Sequence, residues 1–174
     1  DLEYLPSAID TKMFEKIPEV KKSINQVAYV GRDSFEKGID ILKSIESKIN
    51  GNVVYCVNKP WEETMKILKS STLLVVPSRM ESLPTVIKEA FYLKIPVIAT
   101  SVGGIPELVT NNETGLLIES ENSQMLLEKI TQLLSDPSLQ EKLSLNGYDF
   151  VMNNFTWKTI LPNYIKFYEN LLRT

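Results

Sequence analysis

The sequence predicts an α/β fold built on a parallel sheet with helices on both faces. Short β-rich apolar runs alternate with segments of helical period, which is the element order of parallel α/β domains. Glycine or proline marks most of the changes from one kind of segment to the other. The apolar runs are mostly unbroken, as in strands that are buried on both faces. With 174 residues, 43% of them hydrophobic, the chain is long enough for one domain with a sizeable core.

The first half of the chain supplies three of the predicted strands. Residues 1–24 are interpreted as a connector from another domain, because the chain begins at Asp1 rather than Met and its first ten residues have no periodic pattern. Asn50 and Gly51 end the first long helix. The predicted elements are, in order, a strand over 26–31, a helix over 37–49, a strand over 53–57, a helix over 62–69 and a strand over 72–76.

The second half supplies two further strands and the longest helices. The predicted elements are a helix from Pro84, strands over 95–100 and 115–119, and helices over 123–134, 138–152 and 157–172. The C-terminal segment 155–174 carries aromatic and aliphatic residues at helical spacing. We interpret this stripe as core, with a membrane-facing stripe as the alternative.

Composition excludes several classes of function. The chain has 19 Lys and Arg against 22 Asp and Glu, a net charge of −3, so no nucleic-acid partner is expected. It has no histidine and a single cysteine, Cys56, which excludes a His general base, a His-ligated zinc site and an internal disulfide. The longest aliphatic run, 73–76, is far below the roughly 20 residues that cross a bilayer. A cytoplasmic protein without a metal site is therefore expected.

Two cations flank the loop that follows the first strand. Gly31-Arg32 ends the strand and Lys37-Gly38 opens the helix. In parallel sheets, ligands bind at the carboxyl edge, where loops and helix N-termini meet. Arg grips two phosphate oxygens in a fork and Lys adds a point charge, while glycine lets the backbone approach. This pattern predicts a phosphate site, and a pair of solvated basic residues is the alternative.

Two glutamates bracket the start of the fourth helix. Glu81 lies in the loop before Pro84 and Glu89 lies inside the helix. The amides of Ser82, Leu83 and Thr85 would face an anion between them, whereas Pro84 has no N–H to donate. A ligand with hydroxyls at both ends and a diphosphate in the middle fits this spacing. The alternative is an ordinary amphipathic helix whose acidic residues favour the helix dipole.

A glycine pair precedes a further helix. Gly103-Gly104 follows the fourth strand, and Glu107 falls in the first turn of the next helix. The pair allows a backbone or a ligand to pack closely. A tight structural turn with a capping carboxylate explains the same residues.

Together and in this order, these segments resemble the C-terminal half of family 4 glycosyltransferases, which are retaining, nucleotide-sugar-dependent enzymes of the GT-B fold. The glutamate pair looks like the E-x7-E motif of that family, and the resemblance covers nearly the whole chain. Its motifs are Ser7-Ala8-Ile9-Asp10 with Phe14, Tyr29-Val30-Gly31-Arg32, Lys37-Gly38, Pro77-Ser78, Glu81 with Glu89, 95–100, 102–107, 114–117, and Phe155-Thr156-Trp157 with Tyr168-Glu169.

The resemblance implies a Rossmann-like domain that binds a nucleotide-sugar such as a UDP- or GDP-sugar. Arg32 and Lys37 would hold the donor diphosphate, and Glu81 with the amides that follow it would hold the sugar hydroxyls. Glu89 would bind the ribose. Transfer would need no metal and no cofactor, and the acceptor would be held by an N-terminal domain absent from this chain. The chain alone would then be inactive, and any membrane association would come through the other half. The resemblance also implies that the last helix crosses back toward that other domain, which would leave some of its aromatic surface exposed in this chain.

Two features depart from the family pattern. Ser82-Leu83-Pro84 replaces the common Gly-Phe-Gly, and only 53–69 fills a stretch that is usually one strand-helix unit longer. Either the sheet is smaller or residues are missing there, and the identity of the nucleotide base is left open.

Two other functions compete with this interpretation. A dinucleotide-binding oxidoreductase would need G-x-G-x-x-G after the first strand, where the chain has 31–36. A catalytically lapsed domain would act as a binding or assembly subunit of a multi-subunit transferase.

Overall fold

A computed structural model describes residues 5–172 of the chain. Residues 1–4 of the predicted connector and 173–174 of the predicted C-terminal segment lie outside the described residues. The strands are β1 (Gln26–Val30), β2 (Asn52–Cys56), β3 (Leu73–Val76), β4 (Val97–Thr100) and β5 (Leu116–Ile118). All neighbouring pairs are parallel and form one sheet in the order β2-β1-β3-β4-β5. The predicted fold class is confirmed, with β2 and β5 at the two edges.

Eight helices surround the sheet in the part of the chain that the structure describes. They are α1 (Thr11–Phe14), α2 (Ile39–Ile45), α3 (Trp61–Ser70), α4 (Thr85–Tyr92), α5 (Ile105–Leu108), α6 (Ser123–Ser135), α7 (Pro137–Asn154) and α8 (Trp157–Leu172). Asn122 and Asp136 cap α6 and α7 by accepting hydrogen bonds from backbone N–H groups of the first turn.

The sheet separates two apolar cores, because successive strand residues point to opposite faces. Leu73 and Val75 of β3 pack with α2 and α6, whereas Leu74 and Val76 pack with α3, α4 and the connector. All four side chains are almost fully buried. This is why the strand is apolar at every position instead of at every second one.

The helix predicted over 37–49 is shorter than expected. Regular α-helix covers only Ile39–Ile45, with one 3₁₀ turn before it at Phe35–Lys37 and another after it at Glu46–Lys48. Gly38, in the left-handed conformation at φ 63°, separates the first turn from the helix. Lys37 therefore lies in a tight turn ahead of α2, where the chain bends towards the carboxyl edge of the sheet.

The predicted connector packs against the domain over its described part. Ile9 forms a parallel bridge with Thr156 just before α8, and Phe14 and Ile17 are buried in the core. Lys88 of α4 is fully buried, and its Nζ donates to the carbonyl and the hydroxyl oxygen of Ser7, both at 2.8 Å. The segment is thus tied to the helix that carries Glu89.

The last helix buries less of its apolar face than its spacing predicts. Ile160 is buried, but a row of large apolar side chains on α8 is exposed: Trp157, Leu161, Ile165, Tyr168, Leu171 and Leu172. Most of the stripe is therefore not core within the described residues. No helix in 5–172 combines the length and the apolar composition that crossing a bilayer requires.

Candidate functional site

Most of the predicted site residues lie in loops at one edge of the sheet, and Thr85 and Glu89 lie in α4, which follows one of those loops. Because all five strands are parallel, their carboxyl ends share that edge. The loop after β1 carries Arg32 and Lys37, and the loop after β3 carries Glu81. Helix α3 starts after β2, and the glycine pair follows β4. The fold thus gathers segments that are far apart in the sequence.

Lys37 and Glu81 are in direct contact. Lys37 Nζ lies 2.6 Å from Glu81 Oε1, and the hydroxyl of Ser78 donates to the same oxygen at 2.9 Å. The Glu81 side chain is 8% exposed and the Lys37 side chain 24%. The two cations that the sequence placed together, Arg32 and Lys37, are therefore not a simple pair, because Lys37 is bound to a carboxylate.

Gly38 is needed to bring Lys37 to this position. A Cβ atom at residue 38 would lie 1.9 Å from the carbonyl oxygen of Pro77, and its φ of +63° is strained for other residues. The turn that holds Lys37 therefore packs directly on the backbone of the loop after β3. Glycine removes both the steric and the conformational obstacle.

Arg79 binds the two loops to each other, and the sequence analysis did not identify it. Its guanidinium forms two hydrogen bonds of 2.8 Å with Asp40 and one of 2.7 Å with the carbonyl oxygen of Phe35. Its Nε donates to Glu121 at 2.7 Å, and its Cζ lies 3.9 Å from the centre of the Phe35 ring. These contacts hold the turn that carries Lys37 against the loop that carries Glu81. The bidentate pair with Asp40 holds the pKa of that carboxyl below its usual range.

The glycine pair approaches the protein's own backbone. A Cβ at Gly103 would lie 1.7 Å from the carbonyl oxygen of Glu81, and one at Gly104 would lie 1.9 Å from that of Ser82. Of the two predicted reasons for this pair, close backbone packing is the one observed. Glu107 lies in the first turn of α5, as expected, and that helix is a single turn. The pair supports the loop that presents Glu81.

Backbone donors surround the start of α4. Within the described residues, the N–H groups of Ser82, Leu83 and Thr85 donate to no protein acceptor. Pro84 is the N-cap, one residue before the helix, and has no N–H. Ser82 and Thr85 are exposed. This end of α4 is therefore positive and can receive an anion.

Glu89 lies in a different environment from Glu81. Its Oε1 accepts a hydrogen bond of 2.8 Å from Nε1 of Trp61, and it lines a cavity of about 210 Å³ together with Thr85 and Trp157. Burial raises the pKa of the Glu89 carboxyl, and the bond from Trp61 and the charge of Lys88 oppose that rise. The two glutamates of the predicted motif thus have separate partners. The sequence analysis did not identify Trp61, although its position directly after Pro60 at a strand-to-helix junction was a usable signal.

Arg32 remains unpaired, and Gly31 is used structurally. The Arg32 side chain is exposed and forms no ion pair with any residue of 5–172. Its carbonyl oxygen accepts a 2.8 Å hydrogen bond from the Tyr29 hydroxyl. The N–H of Gly31 donates to the carbonyl of Cys56 at 3.2 Å and so extends the pairing of β1 with β2.

Over the described ranges, no group of three or more His, Cys, Asp and Glu side chains has a metal-binding arrangement.

Comparison with known proteins identifies the family. The sequence profile described as glycosyl transferases group 1 matches residues 41–150, which include the whole of the loop after β3 and α4. The chain belongs to this family. An uncharacterized glycosyltransferase of Methanocaldococcus jannaschii is 31% identical over 93% of the chain, which covers 39% of that protein. The chain spans about two fifths of the length of the curated relatives it matches. This result favours the glycosyltransferase interpretation over an oxidoreductase.

Solved structures have the same fold. A sucrose-phosphate synthase from Thermosynechococcus elongatus matches 97% of the chain with a TM-score of 0.83 at 24% identity, over 52% of that structure. Anabaena HepE in complex with UDP-glucose matches 83% of the chain with a TM-score of 0.72 at 20% identity, over 48% of that structure. The group 1 chain therefore has the Rossmann-like fold of the C-terminal half of a GT-B glycosyltransferase.

Proposed function

We propose that the carboxyl edge of this sheet binds a nucleotide-sugar donor for a retaining, metal-independent glycosyl transfer. In this proposal Arg32 and Lys37 bind the diphosphate, and Glu81 binds hydroxyls of the sugar. The N–H groups of Ser82, Leu83 and Thr85 complete the donor site, with Gly31 allowing close approach, and Glu89 binds the ribose. The acceptor is held by an N-terminal domain outside this chain, so the chain alone is inactive.

The contact of Lys37 with Glu81 carries the proposal. It places a cation and a hydroxyl acceptor 2.6 Å apart, beside backbone donors that have no acceptor among the described residues. A diphosphate joined to a sugar likewise presents an anion next to hydroxyl donors. HepE, which shares the fold, was crystallised with UDP-glucose. The contact supports a donor site at this edge, and the HepE complex supports a nucleotide-sugar as its ligand.

The proposed chemistry follows from the charges. When the bond between the sugar and the diphosphate breaks, negative charge grows on the leaving diphosphate oxygen. Arg32, Lys37 and the start of α4 stabilise that charge electrostatically, and Arg79 fixes Lys37 in advance, so little reorganisation is needed in the transition state. The acceptor hydroxyl attacks from the face on which the diphosphate departs, which retains the configuration of the sugar.

Thermal unfolding of the chain with UDP, GDP and ADP tests the proposal. A ligand at 100 times its dissociation constant adds about 2.7 kcal/mol of stability. For a domain of this size that corresponds to a rise in Tm of roughly 5–10 °C. We expect one of the three to raise the Tm, and a further rise or fall with its sugar conjugates. No rise with any of them at millimolar concentration would contradict donor binding by this chain and favour the lapsed, partner-binding alternative.

Two variants locate the site by calorimetry. Lys37→Ala and Arg32→Ala should each weaken binding of the nucleoside diphosphate far more than binding of the nucleoside, because only the former carries the anion. Lys43→Ala is the matched control, because Lys43 is an exposed lysine of α2 that pairs with Asp33 outside the proposed contacts. Equal losses for nucleoside and nucleoside diphosphate would place the diphosphate elsewhere.

A further inference from the structure

Trp61 is placed where it can control the geometry of Glu89. It is the first residue of α3, the helix that follows the carboxyl end of β2. Its Nε1 donates to Oε1 of Glu89 at 2.8 Å. Its ring packs edge-on against Phe14, with centroids 5.1 Å apart and an interplanar angle of 77°. Phe14 is buried and belongs to the segment before β1. The indole therefore packs against a side chain of the core.

Glu89 needs such a partner. A partly buried carboxylate is stabilised when an oxygen accepts a hydrogen bond. Trp61 satisfies Oε1, whereas Oε2 accepts no hydrogen bond from the residues that the structure describes. The indole N–H cannot act as an acceptor, so it fixes the direction of the carboxylate without competing for the donors of a ligand.

The other charges near Glu89 do not replace this bond. Lys88 is its neighbour on α4, but the Lys88 ammonium points to Ser7 and is bound there. Asp10 lines the same cavity and carries the same sign of charge as Glu89. Trp157 also lines the cavity but makes no hydrogen bond to Glu89 in the described structure. Trp61 is thus the side chain that holds one Glu89 oxygen.

We infer that Trp61 is a positioning residue that holds Glu89 as the acceptor of ribose hydroxyls and so makes the site select ribonucleotides over 2′-deoxyribonucleotides. The inference rests on the proposed function, because it needs a nucleotide at this edge. A ribose with two neighbouring hydroxyls can donate to a carboxylate oxygen whose direction is fixed. A 2′-deoxyribose has lost one of those donors. When the carboxylate is free to rotate, the difference between the two sugars becomes small.

Calorimetric titration with UDP, GDP and ADP and with their 2′-deoxy counterparts tests this inference. For the nucleotide that the wild-type chain binds, we expect the deoxy form to bind about tenfold more weakly, which is the loss of one hydrogen bond to a charged group. Trp61→Phe keeps an aromatic ring beside Phe14 and removes the N–H donor together with part of the indole, a loss of size that the control variant below shares. We expect it to bring the ratio of the two dissociation constants close to one.

Two further variants make the result specific. Trp157→Phe is the matched control: it changes a tryptophan of the same cavity that forms no hydrogen bond with Glu89 among the described residues, and it should keep the wild-type ratio. Glu89→Gln should also lower the ratio, and circular dichroism shows whether each variant is folded. A folded Trp61→Phe variant that retains the wild-type ratio would overturn the role of Trp61. A wild-type chain that binds both sugars equally would overturn the inference but leave diphosphate binding intact, whereas one that binds no nucleotide would overturn the proposed function itself.

Discussion

The ion pair between Lys37 and Glu81 should couple the stability of the domain to its binding site. At 2.6 Å and an effective dielectric constant of 20, the gross attraction is about 6 kcal/mol before the cost of desolvation. Lys37→Met leaves the Glu81 carboxylate, 8% exposed, with Ser78 as its one hydrogen-bond donor among residues 5–172. Breaking one half of a buried pair costs about 3–5 kcal/mol. Because Lys37 keeps some contact with water, we expect a loss at the lower end, about 3 kcal/mol.

The double variant separates the charge pair from the rest of the contact. Glu81→Gln leaves Lys37 at 24% exposure, where water can reach it, so about 1–2 kcal/mol should be lost. Lys37→Met with Glu81→Gln removes both charges, and the total loss should be about 2 kcal/mol, smaller than the sum of the single losses. The coupling free energy is therefore expected to be about 2–3 kcal/mol.

Urea unfolding at pH 7 with each variant measures this coupling, with unchanged m-values as the sign that the folded and unfolded states are comparable. The exposed pair of Lys43 with Asp33, 3.5 Å apart, is the matched control. Its side chains are 49% and 61% exposed, so its coupling should be below about 0.5 kcal/mol. A coupling for Lys37 and Glu81 as small as that of the control would refute the reasoning. The double variant should be folded and yet bind nucleoside diphosphate poorly, which distinguishes the binding role from the structural one.

Two other predictions concern stability. Gly38→Ala should cost at least about 2 kcal/mol in urea unfolding, because the left-handed backbone alone costs about 1–2 kcal/mol and the new Cβ would also meet the Pro77 carbonyl. Gly31→Ala is its control and should cost less, because Gly31 has no left-handed backbone and the nearest atom, the Tyr29 hydroxyl, lies 3.0 Å from the new Cβ instead of 1.9 Å. Burial raises the pKa of Glu89 in the folded state, so the folded chain binds more protons than the unfolded one between the unfolded pKa of about 4.3 and the higher folded pKa. Wild-type stability therefore falls as pH rises through that window. In melting curves at several pH values, Glu89→Gln should remove this fall, and a constant difference in Tm from wild type between pH 4 and pH 8 would contradict the assignment.

The strands were predictable because short β-rich apolar runs mark their positions. All five lie within two residues of the predicted ends. The run 73–76 is apolar at each position, as expected of a strand whose two faces both pack against an apolar core. The ends of α2 were less predictable. There Gly38 and the turn at Glu46–Lys48 interrupt a run whose apolar spacing still fits a longer helix. Periodicity reports which side is buried, whereas the end of a helix depends on a few local hydrogen bonds.

The positions of the candidate residues near one sheet edge were predictable, but their contacts were not. Strand ends in a parallel sheet share an edge, so the sequence could place Lys37, Glu81 and Glu89 near that edge. The residues that fix them were missed because the contacts join distant segments: Arg79 meets Asp40 across 39 positions, and Trp61 meets Glu89 across 28. Such pairs depend on how loops cross in the folded chain, and no spacing within the sequence contains that information.

The predicted ligand groups consequently differ in how firmly the fold holds them. Lys37 and Glu81 hold each other, and Trp61 holds Glu89, so these side chains have lost much of their rotamer freedom before any ligand arrives. Arg32 is exposed and has no ion pair among residues 5–172. Ordering a free arginine side chain costs up to about 2 kcal/mol, which a diphosphate must offset. Loosening the loops after β1 and β3 would therefore reduce what Lys37 contributes to binding far more than what Arg32 contributes, because only the lysine depends on the packing of those loops for its position.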